Sequence, residues 1–355
     1  MVNATLTFDD VLIEPQYSEV PSRSNVSVVT NLGSTFTLDV PVISANMDSI
    51  TEYDMATSMG NIGGLGVLHR FMTVDEQVDQ INKFKWSNSG YIGAAVGVKE
   101  DCFRRAEKCL EAGADTLVLD VANGHSKAVL DALERILGKY PNAHIIAGNV
   151  ATYEGAKFLC ENGASAVKVG VGPGSVCSTR IVAGVGVPQL TAIMECSKAC
   201  DEFDIPLIAD GGIRYPGDVA KAIAAGANAM MVGGLLSGTV ESPGHIVEKD
   251  GRLFKAYRGM ASNGAMVKRR EVEVKHLNGS SPEPRFEHIT PEGIETLVPF
   301  TNRLAVDVVA ELVGGLRSAM SYSNSLNIQD FQDNVKFIKI TNAGLAESHP
   351  HALNR

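Results

Sequence analysis

No two cysteines in this sequence stand in a C-x-x-C spacing, no histidines form H-x-x-x-H or H-E-x-x-H, and no apolar run is long enough to span a bilayer. The first absence, with only 6 cysteines in 355 residues, excludes a disulfide-dense scaffold and favours reduced thiols. The second leaves metal–histidine chemistry without a motif, and SHPH (348 to 351) reads as a polar tail. As for the third, the most apolar stretch, AIAAGANAMMVGGLL (222 to 236), is short and broken by Gly and Asn. A formal net charge of −10 argues against nucleic acid as the main partner, because phosphate neutralisation needs clustered Lys and Arg. The opening MVNATLTFDD has neither the basic flank nor the apolar core of a secretory signal. A cytoplasmic protein with no membrane association is expected.

What the sequence does contain is glycine, 35 in all, and short β-rich apolar runs. Eight recur: PVISA from 41, LGVLH from 65, YIGAAVGV from 91, TLVLDV from 116, HIIAGNV from 144, AVKVGV from 166, PLIADGG from 206 and AMMVGG from 229. Helix-like stretches fill most gaps, among them DCFRRAEKCLEAGA (101 to 114), YEGAKFLCENGA (153 to 164) and PGDVAKAIAAGA (216 to 227), each closed by glycine. Apolar strands alternating with amphipathic helices imply a parallel sheet covered on its outer face, and eight such units imply a closed (β/α)₈ TIM barrel. A doubly wound Rossmann sheet is the alternative, but no G-x-G-x-x-G follows the first run. The expected organisation is a single barrel domain over 1–355. It carries an active-site flap at about 267–300, within a polar excursion from 237 to 302, then a helix around 303 to 320 and a tail at about 335–355.

Chemistry in such a barrel sits at the carboxyl ends of the strands. The glycines of DGG (210 to 212) and GG (233 to 234) follow strands 7 and 8, where backbone N–H groups can approach a phosphate, and Ser175 can add a hydroxyl. Asp210 suits a ribose diol, so a nucleotide is the expected ligand. In GVGPGSVCSTR (170 to 180), strand 6 delivers Cys177 to the same face on a loop free of side-chain bulk, with Arg180 close in sequence to favour a thiolate. The other five cysteines lie mostly in helix-like runs and read as buried, inert thiols. A nucleophilic sulfur beside a nucleotide can attack an electron-poor ring carbon and split one hard step into two. Thr179 can relay a proton, with Glu292 or Glu295 as the acid.

Three segments, GVGPGSVCSTRIVAGVGVPQLTA (170 to 192), IADGGIRYPGDVAKAIAAGA (208 to 227) and YRGMAS (257 to 262), resemble the inosine-monophosphate dehydrogenase and guanosine-monophosphate reductase family. The resemblance runs from LTFDDVL (6 to 12) to AGLAESHPH (343 to 351). It implies a thioimidate between Cys177 and C2 of a purine nucleotide, a proton relay through Thr179 and Glu295, and Arg285 on the flap. It further implies substrate contacts from Met47, Ser175, Asp210, Gly211, Gly212, Gly233, Gly234, Tyr257, Gly259, Met260 and Ala261. Cofactor contacts are implied for Ser22, Arg23, Arg70, Asp120, Val121, Ala122, Asn123, Val171 and Gly172. A potassium ion on the carbonyls of Gly172, Gly174 and Cys177, and a homotetramer, complete the implied picture.

The family's two activities share the first adduct and differ afterwards. IVAGVGVPQ, DGGIRY, ESPG (241 to 244), PEGIE (291 to 295) and ESHPH resemble the dehydrogenase. Asn46 in ANMD, Asn123 in DVANG, HRF (69 to 71), PSR (21 to 23), the missing regulatory CBS insert, and Arg285-Phe286 where dehydrogenases carry Arg-Tyr resemble the reductase. On the flap pair, the expectation is an NADPH-dependent GMP reductase yielding IMP and ammonia. The alternative is an NAD-dependent IMP dehydrogenase, and a third reading is a nucleotide-binding regulatory barrel without turnover.

Overall fold

The computed structural model describes residues 5–33, 36–99, 101–276 and 290–350. All eight apolar runs fall on parallel strands: β1 (Val42–Ser44), β2 (Leu65–Leu68), β3 (Tyr91–Val96), β4 (Thr116–Asp120), β5 (Ile145–Val150), β6 (Ala166–Val169), β7 (Leu207–Asp210) and β8 (Ala229–Val232). They close into a barrel in sequence order, β8 returning to β1, which confirms the (β/α)₈ TIM barrel and excludes the open Rossmann sheet. Every residue of β2, β6 and β8 is buried, because one face fills the barrel and the other meets the helices. The three helix-like stretches are helices at Cys102–Glu111, Tyr153–Glu161 and Pro216–Ala224.

The repeated Gly-Ala pair has a common geometry. Gly113, Gly163 and Gly226 follow these helices with φ of +95°, +85° and +112°, a region that favours glycine. Two residues later Asp115, Ser165 or Asn228 accepts, through its side chain, the amide of Ile92 (2.7 Å), Ile145 (3.0 Å) or Leu207 (2.8 Å) in the preceding strand. Its own amide donates to the carbonyl of that same residue. Each of the pairs β3–β4, β5–β6 and β7–β8 is thus registered at its entrance by a two-bond clamp.

The amino end of the barrel is stopped by a hairpin, Thr30–Asn31 with Thr37–Leu38. Its Phe36 ring lies 4.4 Å from the Tyr91 ring and 4.8 Å from His144.

The excursion is more ordered than its polarity suggests. It holds an antiparallel sheet of β9 (Ile246–Lys249), β10 (Arg252–Arg258) and β11 (Glu295–Pro299). Asp250 and Gly251, at φ +52° and +70°, make the two-residue turn between β9 and β10. The expected flap at 267–300 therefore begins inside a helix, Asn263–His276, and ends in a strand. Residues 277–289, Arg285 and Phe286 among them, lie outside the described residues. The helix expected around 303 to 320 is Ala305–Tyr322. The tail is tied down, since Phe337–Lys339 pairs antiparallel with Val11–Ile13. Among the described residues no helix is long and apolar enough to cross a membrane.

Candidate active site

A cavity of about 280 Å³ opens at the carboxyl ends of β1, β6, β7 and β8, lined by Met47, Ser175, Asp210, Gly211, Gly212, Gly233, Gly234 and Tyr257 among others. Gly211 and Gly212 turn at φ +87° and +86°, and a Cβ on Gly211 would stand 3.1 Å from the Gly174 nitrogen. A Cβ on Gly234 would stand 3.0 Å from Ser175 Oγ. At these two loops no side chain separates the backbone from the cavity, which backbone binding of an anion requires. Ser175 Oγ and Tyr257 Oη are 3.0 Å apart, and burial raises the Tyr257 phenol, which keeps it a neutral donor. The cavity also takes in Arg214, which sequence reasoning passed over and which pairs with Asp9 of the amino-terminal segment.

Cys177 is exposed on the loop whose Gly174, Ser175 and Arg180 line this cavity, while the other five cysteines are free and buried. Burial pushes Cys102 to about 11 and Cys109 to about 12, so these thiols stay protonated at neutral pH. Cys177 Sγ lies 3.2 Å from Thr179 Oγ1, within hydrogen-bond reach. The loop is held from both sides. Cys177 bridges Gly293, Ile294 donates to the Val176 carbonyl (3.0 Å), and Ser178 donates to that of Glu292 (2.9 Å). On its far edge the 292–294 strip meets Gly259 and Ala261, Gly259 donating to the Ile294 carbonyl and Glu292 to that of Ala261. Gly259, Met260 and Ala261 thus support the flap side of the cysteine rather than the glycine-lined side.

Beside the cavity lies a polar cluster that sequence reasoning largely missed. Lys168 on β6, 1% exposed, donates to Asp120 Oδ1 (2.7 Å) and Asp210 Oδ2 (2.6 Å), and to the Asn149 side chain. Asn149 Nδ2 donates to Asp210 Oδ2 at 2.9 Å, and Gln189 Nε2 to the Asp210 carbonyl at 3.1 Å. Burial alone would raise the Asp120 carboxyl; Lys168, Arg70 and a hydrogen bond from Asn46 outweigh it and hold it low. Arg70 stands near enough for its charge to act on Asp120. Of the loop after β4, the Val121 amide donates to the Gly148 carbonyl (3.1 Å) and Ala122 is exposed. The available signal for Lys168 was a lone charge in an apolar run, AVKVGV, which packing does not ask for.

Several expected residues stand elsewhere. The Glu295 carboxylate accepts the Gly264 amide, and its strand partner is Arg258, so it is not hydrogen-bonded to Thr179. Glu292 is instead tied to the cysteine loop through its backbone carbonyl. Ser22 caps its own turn and Arg23 lies 6.0 Å over the Tyr322 ring, and neither lines the cavity. Potassium does not fit the loop of one chain. Gly174 already accepts the Cys177 amide (3.0 Å), and the Arg180 guanidinium donates to the Val171 and Val187 carbonyls across Gly172. Three carbonyls beside a fixed positive charge are too few for a hard cation that takes about six or more oxygens. Among the described residues no group of three or more His, Cys, Asp or Glu could hold a metal.

A family model described as the IMP dehydrogenase / GMP reductase domain matches residues 5–351. Among curated relatives, an inosine-5'-monophosphate dehydrogenase of Cryptosporidium parvum is 42% identical, over 98% of this chain and 94% of its own. Those of Borreliella burgdorferi, at 39%, and Aquifex aeolicus, at 38%, align with 98% of this chain and 96% and 95% of their own lengths. These relatives overturn the expectation of an NADPH-dependent GMP reductase. The features that favoured it have local physical uses: Asn46 is buried and bonds Asp120, the Asn123 side chain accepts the His125 amide (3.2 Å), and Ser22 and Arg23 pack as described. The missing insert does not discriminate either. The Aquifex alignment spans 473 positions but the Cryptosporidium one only 388, so a compact relative bears the same name. With the match covering residues 5–351, the chain belongs to the IMP dehydrogenase / GMP reductase family.

Proposed function

We propose that this chain oxidises inosine 5'-monophosphate to xanthosine 5'-monophosphate with NAD, through a covalent bond between Cys177 and carbon 2 of the purine. The observation that carries the reading is the exposed Cys177 thiol on the loop whose Gly174, Ser175 and Arg180 line a glycine-walled cavity, with every other thiol buried. In this reading the amides of Gly211, Gly212, Gly233 and Gly234 hold the phosphate with the hydroxyls of Ser175 and Tyr257. Asp210 accepts from the ribose, and Met47 and Met260 flank the base. The sulfur adds to carbon 2, a hydride leaves that carbon, and a thioimidate remains. Water then adds to the same carbon, its proton goes to a base, and the sulfur departs as thiolate. The net change is IMP, water and oxidised dinucleotide to XMP, reduced dinucleotide and one proton. NAD supplies the hydride acceptor and is assigned to Arg70, Asp120, Val121, Ala122, Asn123, Val171 and Gly172.

Thr179 and Glu292 are assigned the proton relay, supported by the 3.2 Å contact to the sulfur and the backbone bond from Ser178 to Glu292. Because Phe286 lacks a hydroxyl, water activation rests on this pair, with Arg285 as the flap's charge. No step is assigned to potassium. A homotetramer belongs to the proposal, supported by the apolar Ile181 (89% exposed) and Val185 (59%) beside the cysteine loop. The test is purified protein with IMP and NAD: reduced nicotinamide and XMP appear together if the reading is right. NADPH consumption with GMP, and no turnover of IMP, would overturn it.

A further inference from the structure

Lys168 is a fully buried ammonium in a strand whose other residues, Ala166, Val167 and Val169, are apolar. Burying such a charge is unfavourable unless it is paired and hydrogen-bonded, so packing does not account for it. Its three protons meet three acceptors: Asp120 Oδ1 at 2.7 Å, Asp210 Oδ2 at 2.6 Å and the Asn149 side-chain oxygen. One nitrogen thereby joins the carboxyl end of β4 to that of β7, with β5 and β6 between them. The two carboxylates face different places. Asp210 lines the cavity, whereas Asp120 does not and stands in the field of Arg70. With Asp210 Oδ2 already accepting from both Lys168 and Asn149, its Oδ1 is the oxygen left for a ligand hydroxyl.

We propose that Lys168 is a positioning residue that fastens Asp120 and Asp210 into one unit, so that the purine nucleotide and the dinucleotide each bind better when the other is present. This rests on the proposed function, in which Asp210 holds the nucleotide ribose and Asp120 the dinucleotide ribose. A diol on either carboxylate orders the ammonium they share. The other carboxylate is then already oriented for its ligand, and by linkage the effect is reciprocal.

The test is a double-mutant cycle on the whole enzyme with IMP and NAD as the ligands. D210N raises the KM of IMP, and in the wild-type background it also raises that of NAD, by about fivefold or more. K168M raises both KM values by about tenfold and leaves the alkylation rate of unliganded Cys177 within about twofold. In the K168M background D210N no longer changes the KM of NAD. K168R, which keeps the charge, restores both KM values to within a few-fold. Should K168M fail to melt cooperatively, the NAD response of D210N alone decides. Normal turnover with an NAD KM indifferent to D210N overturns the coupling alone. A wild-type enzyme that makes no reduced nicotinamide from IMP and NAD overturns the proposed function and this inference together.

Discussion

At the scale of single residues, Cys177 and the pair Thr179–Glu292 make different predictions. Cys177→Ala removes the nucleophile and should lower IMP turnover by at least about a thousandfold, with IMP binding by calorimetry held within a few-fold. Glu292→Gln leaves the sulfur in place and removes a proton acceptor, so hydride transfer should outrun hydrolysis and protein-linked nucleotide should accumulate while kcat falls about a hundredfold. Glu295→Gln, which keeps an oxygen for the Gly264 amide and loses a charge facing Arg258, should lower kcat by less than about tenfold. Equal losses from the two Glu variants would contradict the assignment. Cys177 was legible in the sequence because a glycine-rich loop after a strand marks the barrel mouth. Lys168 was not, because its partners, Asp120 and Asp210, are remote in sequence and its run reads as an ordinary strand. Asn46 and Asn123 misled for a related reason: their identities suggested the reductase, whereas their side chains serve bonds visible only in three dimensions.

At the scale of elements, the entrance clamps carry the prediction. Ser165→Ala removes the acceptor of the Ile145 amide and should cost about 1–3 kcal/mol in urea unfolding, since a buried N–H is left without a partner. Gly226→Ala combines φ +112° with a Cβ 2.5 Å from that of Ser197, and a loss of similar size is expected. The strands and helices were readable because burial on both faces writes continuous apolar runs. The β9–β10 hairpin was not, because all four residues of β9 are exposed and no alternation forms; only Asp250-Gly251 signalled it. The pairing of Val11–Ile13 with Phe337–Lys339 was hidden by a separation of more than 300 residues.

At the scale of the whole molecule, charge at the barrel mouth sets acid stability. The Asp48 side chain is 1% exposed and pairs with Arg258 on β10 and Lys268 on the flap helix. Burial would raise its carboxyl, but the Arg258 hydrogen bond and charge outweigh that and hold it below the usual range. Asp120 is held low likewise. A carboxylate depressed in the native state stabilises it above the unfolded value of about 3.9, and the contribution is lost as pH falls through the lower native value. The melting temperature should therefore drop steeply below about pH 4. Burial raises Asp218, which acts in the opposite sense, so a variant isolates the effect: Asp48→Asn should melt lower than wild type at neutral pH and decline less on acidification. Parallel curves would contradict this. The barrel as a whole was legible in the repeat of eight units, whereas the choice between two activities on one barrel was not, because it turns on a few contacts at the mouth.

The most direct test of the account is to quench the enzyme during turnover of IMP and NAD and map the modified peptide by mass spectrometry. The account predicts a nucleotide-sized addition on Cys177, enriched in Glu292→Gln and absent in Cys177→Ala. Turnover of IMP that persists in Cys177→Ala, or an adduct on any other residue, would contradict it.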